Sequence, residues 1–198
     1  MIFKGRNHEL GQQSKEMKEL SAECSDFHIS TTSLILRTEK MLLTYRKNRG
    51  KQITIDKSDP MELRSRLMLY MTAIRDVRIP NDSKEFREAV NYLSAAGYMD
   101  RMLSQALQEV SLKRSRGDLY YDILVKKYDG TGMTKDYVIA SQLDLGHTSM
   151  SARKKEAILA VGIEMISVII PSAFKEIACW GMYEKAQSKK RKGCEGRI

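Results

Sequence analysis

The chain has 198 residues, of which 42% are hydrophobic and 30% charged, and a formal net charge of +9. That length suits one ordinary domain or two small ones sharing a core, and that balance argues against a wholly disordered chain. Three prolines, twelve methionines and no alternating Val/Ile runs leave little room for sheet, so an all-α protein is expected.

Polar residues 1–27 hold at most a loosely kept helix around Lys15 to Glu23. A clearer helix spans Ser30 to Arg46, with Leu34, Met41, Leu42 and Tyr45 close to one face. The basic, glycine-containing stretch Arg46 to Lys51 breaks it, and the alternating residues Gln52 to Asp56 read as a short extended piece. Asp59-Pro60-Met61-Glu62 is a helix start: Asp59 caps, Pro60 takes the first position, and Glu62 reaches back to close a capping box. Leu63, Leu67, Tyr70, Met71 and Ile74 then form a core stripe, which Pro80 ends. A second box, Asp82 to Glu85, opens a helix bearing Phe86, Val90 and Leu93, and Gly97 separates it from a helix bearing Met99, Leu103, Leu107 and Val110.

From Gly117 to Ile163 the chain reads as three helices with tight connections. Leu119, Ile123, Leu124 and Tyr128 are the buried stripe of the first, and Gly130 and Gly132 provide the turn that follows. Thr134 caps the second, Asp144-Leu145-Gly146 turns the chain, and the third begins near His147. Ile139, Ala140, Leu143, Leu145 and Met150 have the spacing of a shared helix-turn-helix core, with small Ala140 permitting close approach. On that reading His147, Thr148, Ser149, Ser151, Ala152, Arg153, Lys154 and Lys155 face double-stranded DNA. The polar groups and the Ala152 methyl suit base edges, and the cations suit phosphates.

Three segments follow: a helical region over 1–112 of unknown role, a DNA-binding unit over 113–162, and an apolar helical extension with a basic tail over 163–198. The extension (Ile163, Met165, Ile166, Val168, Ile169, Ile170, then Phe174, Ile177 and Trp180) needs cover. Each such side chain left in water forfeits about 1.5–3 kcal/mol. It packs either on the N-terminal helices or across a homodimer, and the homodimer is the expectation, since paired reading helices fit successive DNA turns.

Cys24, Cys179 and Cys194 show no metal or disulfide spacing, which suits reduced thiols in the cytoplasm. Residues Met1 to Arg6 lack the apolar stretch of a secretory signal, and the segment Ala157 to Ile170 is too short for a membrane span. His8, His28 and His147 have no nucleophile or carboxylate at catalytic spacing, so neither an enzyme nor a cofactor is expected. The cluster Lys189 to Lys192 is either a solvated tail or a source of added phosphate contacts.

The runs Tyr121 to Tyr128, Ile139 to Leu145 and Ser151 to Ile158 resemble the C-terminal part of the ArpU and RinA group of phage late transcription regulators, itself similar to region four of bacterial sigma factors. The resemblance covers about a quarter of the chain, and Arg153-Lys154-Lys155-Glu156-Ala157 is its most specific stretch. It implies an activator of late phage genes that binds promoter-proximal DNA and touches RNA polymerase. Two other functions fit the same helices: a small-terminase-like packaging protein, and a helical protein-interaction module without DNA.

Overall fold

The computed structural model describes residues 13–48, 59–75, 79–80, 83–129 and 134–179, and every element among them is helical. The protein is all-α, as composition dictates. Helix α1 (Lys15–Asp26) opens on Ser14, whose hydroxyl accepts the Met17 N–H at 3.1 Å. Helix α2 (Thr31–Asn48) follows a turn through His28, and α3 (Pro60–Arg75) starts where expected. Asp59 accepts the N–H groups of Met61 and Glu62 at 2.9 and 3.3 Å. Glu62 does not reach back to close the box; its carboxylate takes Arg66 Nε at 2.7 Å, one turn further on.

Helix α4 (Lys84–Ala95) is capped by Ser83, and Gly97, at φ +74°, turns the chain into α5 (Tyr98–Lys113). Helix α6 (Gly117–Leu124) runs into a π turn at Val125–Asp129, and α7 (Asp136–Gln142) is short. The last element, α8, runs from His147 to Cys179 and contains a π turn at Met165–Ile169. The extended piece at 52–56, Asp82 of the second box, the Gly130/Gly132 turn, Trp180 and the basic tail at 189–192 lie outside the described residues.

Helix α8 is the axis of the fold. Every residue from Glu156 to Ile166 is buried, the condition of a helix apolar on nearly all sides. It packs on α1, α2, α5 and α6. Ile163, Met165, Ile166, Ile169, Ile170, Ala173 and Ile177 share one core with Leu34 and Met41 of α2, Phe86 of α4 and Met102 of α5. The apolar extension is therefore covered within the chain, and its burial needs no second copy. By length and composition this helix is long and apolar enough to cross a membrane, against the expectation from its central segment, but 72% of its most apolar window is buried inside the protein.

Pro171 does not stop it. The Ile170 N–H reaches back five residues to the Met165 carbonyl, so the helix widens just ahead of the proline ring. The expected boundary between residues 162 and 163 consequently falls inside one continuous helix, and that between 112 and 113 falls at the end of α5.

Candidate nucleic-acid interface

Beside the main core lies a small second one, made of Ile123 from α6, Ile139 and Ala140 from α7 and Met150 from α8. Leu119, Leu143 and Leu145 pack against it half-buried. All five residues expected to share a motif core thus come together, and they orient α7 against the first turns of α8. The connection at 143–146 differs in detail from expectation. Its left-handed residue is Asp144, at φ +52°, a conformation aspartate tolerates better than most side chains. Gly146 has φ −68° and ψ 154°, which any residue adopts. Thr134 does not cap α7: Lys135 precedes the helix with no side-chain cap, and the Thr134 carbonyl instead accepts Lys127 Nζ at 3.0 Å.

The predicted contact residues divide into two groups. His147, Thr148, Ser149, Ser151 and Lys155 are exposed, and Ala152 is half-buried between them. No acidic residue occupies the first turn of α8, and Gly146 places no side chain over its free N–H groups. Those N–H groups and the helix dipole favour an anion at this end.

Arg153 and Lys154 point the other way. Arg153 pairs with Glu156 at 2.5 Å and lies 3.8 Å from Glu16 of α1. Lys154 Nζ is 2.8 Å from Asp136 of α7 and 4.0 Å from Glu39 of α2. Both hold α8 in place, because each ties it to a carboxylate on another element. Glu156 is itself 1% exposed and is satisfied by Arg153, by the Tyr120 hydroxyl at 2.9 Å and by the Ser14 hydroxyl. Burial first, then the Glu156 carboxylate, pushes the Tyr120 hydroxyl up, so it stays a neutral donor.

Asp136 is the hinge pin of this arrangement, held at 2.5 Å by buried Lys127 of the π turn and at 2.8 Å by Lys154. Burial works to raise its carboxyl pKa, but the hydrogen bonds and charges of Lys127 and Lys154 outweigh it and hold the group below the usual carboxylate value. A carboxylate favoured in the folded state stabilises above its unfolded pKa, about 3.9, and loses that contribution as pH falls through the lowered folded value. Melting temperatures of the parent and Asp136→Asn should differ above about pH 4 and converge in stronger acid. A gap of constant size down to about pH 2.5 would show that the carboxylate's charge is not what stabilises.

Sequence reasoning missed Asp136, Lys127, Glu16 and Glu39, whose roles depend on partners distant in the chain. It also passed over Tyr137, 63% exposed on α7, with Lys135 Nζ 5.9 Å from its ring centroid. An aromatic beside a lysine ahead of a short helix was the available signal. Compared with family models, curated proteins and solved structures, the chain has no significant match.

Proposed function

We propose that this protein binds double-stranded DNA through the exposed face of α8 from His147 to Lys155, and acts as a sequence-specific transcription regulator of the phage late-gene type. One observation carries the reading. A dedicated small core of α6, α7 and α8 holds out a helix end that is rich in hydroxyls, without an acidic side chain in its first turn and without a side-chain cap on its N–H groups. The net charge of +9 supports it by drawing a polyanion towards the chain. In this function Lys155 contacts phosphate, His147, Thr148 and Ser151 read base edges, and Arg153 and Lys154 fix the angle of the helix. A homodimer sets two such faces one DNA turn apart, about 34 Å, and RNA polymerase is the protein partner of the bound regulator.

The test is fluorescence anisotropy on DNA flanking the protein's own gene, titrated at several salt concentrations. Lys155→Ala should weaken binding to all sequences alike and lower the salt slope by about 1. Ser151→Ala should instead cost discrimination between sites, by about 1–3 kcal/mol at the affected base pair. Binding that ignores both substitutions, or that ignores sequence at moderate salt, rules this face out as the reader.

A further inference from the structure

A groove of about 540 Å3 lies between the end of α5 and the outer face of α6. Its walls follow from how α6 is divided. Leu119 and Ile123 face the small core, and Tyr120 and Leu124 face the main one. That leaves Asp118, Tyr121 and Asp122, at i, i+3 and i+4, together on the outer side. Across from them stands Leu112, the last apolar residue of α5.

Two features set this groove apart from an ordinary solvated helix face. Leu112 is 74% exposed and Tyr121 42% exposed, so two large apolar side chains line one concavity instead of being scattered. The charged side chains of its lining, Asp118 and Asp122, are both acidic, on a chain whose net charge is +9. Asp118 is held in place by the Ser111 hydroxyl, and Asp122 has no ion pair among the described residues. The groove's shape is fixed as well, because the α5–α6 corner closes on Gly117, where carbonyl oxygens of α5 leave no room for a Cβ.

We propose that this groove is a docking site for a short segment of a protein partner that carries an arginine or lysine next to an apolar anchor such as leucine. Charge complementarity selects that occupant. Two carboxylates beside apolar walls offer charge-assisted hydrogen bonds to a guanidinium or ammonium, and the exposed Tyr121 face accepts the cation or its stem. Leu112 gives the neighbouring apolar side chain a surface to dry. The negative lining disfavours nucleic acid, and none of its residues belongs to the α8 face, so the inference does not rest on DNA binding.

Aromatic NMR of the full chain, titrated with the dipeptide N-acetyl-Leu-Arg-amide, tests it. The Tyr121 ring resonances should shift saturably. N-acetyl-Leu-Glu-amide should leave them in place, and spermidine, a cation without an apolar anchor, should move them much less. Asp118→Asn with Asp122→Asn should weaken the Leu-Arg probe by about tenfold, the effect of one charge-assisted hydrogen bond, while Ser111 keeps an amide oxygen to donate to. A matching thermal melt shows that the double variant is folded. Equal shifts from the Leu-Glu probe or from spermidine, a silent Tyr121, or undiminished affinity in a folded double variant would each overturn the proposal.

Discussion

Replacing Arg114 by alanine is expected to cost about 3 kcal/mol of stability, a large share of the roughly 5–15 kcal/mol a domain has. Arg114 sits at the C-terminal end of α5, where its fork joins three helices. Its Nη2 donates to Glu23 of α1 and to Glu164 of α8, each at 2.9 Å, and Nη1 donates to Glu23 again. Glu164 is the vulnerable member, because its side chain is only 3% exposed in the middle of the core helix. The Glu23 bond, opposed by burial and aided by Glu164, favours the charged guanidinium further. Removing Arg114 leaves Glu164 with Lys113 Nζ at 2.9 Å, which keeps the loss at the lower end of the range for a broken buried pair. Urea unfolding should show the midpoint falling with little change in m-value, and amides of α1 should exchange faster as its anchor goes. Arg114→Lys should fall between, since an ammonium cannot serve both carboxylates as a fork does. A loss below about 1 kcal/mol would mean that Lys113 alone satisfies Glu164.

Gly117→Ala is the second large expectation. A Cβ at this position would lie 2.5 Å from the Ser111 carbonyl oxygen and closer still to that of Val110. Both are backbone atoms of α5 and cannot rotate aside, so the α5–α6 corner must open. Overpacking of this kind costs about 1–3 kcal/mol and at times more. Gly162→Ala is the informative comparison. There the new Cβ meets buried side-chain atoms of α2, Thr38 Oγ1 at 2.5 Å and Leu34 Cγ at 3.0 Å, where rotation about χ1 relieves part of a clash that backbone atoms cannot relieve. Gly162, inside α8, also gains up to about 1 kcal/mol of helix propensity, which Gly117 at the first position of α6 does not, so Gly117→Ala should be the more damaging. Chemical denaturation of the two variants side by side decides it, and the reverse order would show that the α2–α8 crossing is the tighter contact. The corner also sets the walls of the α5–α6 groove, so Gly117→Ala should disturb docking there as well.

The placement of Arg153 and Lys154 changes how a DNA-binding experiment is to be read. Replacing both together with Lys155 by alanine would remove the proposed phosphate contact and break the pairs with Glu156, Glu16 and Asp136 at once. Lost binding in that triple variant would not separate contact from positioning. Lys155→Ala alone tests the proposed phosphate contact, and Asp136→Asn tests the positioning of the helix.

Local and periodic features were legible in the residues themselves. The cap at Asp59, the Gly97 punctuation and the apolar stripes of each helix follow from hydrogen bonds and spacings that span a few residues, whereas the cap of α4 is Ser83, one residue after the Asp82 that the second box puts first. The small core of Ile139, Ala140, Leu143, Leu145 and Met150 was legible for the same reason, since its members lie on two helices joined by a tight turn. The exposed half of the α8 face, His147, Thr148, Ser149, Ser151 and Lys155, belongs to that same local pattern.

What the tertiary structure alone decided concerns partners far apart in the chain. A lysine reads as a solvated cation until a fold places Asp136 and Glu39 beside it, as happens to Lys154, and Glu16 does the same to Arg153. Pro171 sits inside α8 because the turn ahead of it is widened, a feature that no residue spacing announces. The apolar run after Val161 had two physically equivalent ways to leave water, and only the arrangement of α1, α2 and α5 around α8 selected burial within the chain. Hydrophobic pattern states that a surface must be covered, and the packing of distant helices determines what covers it.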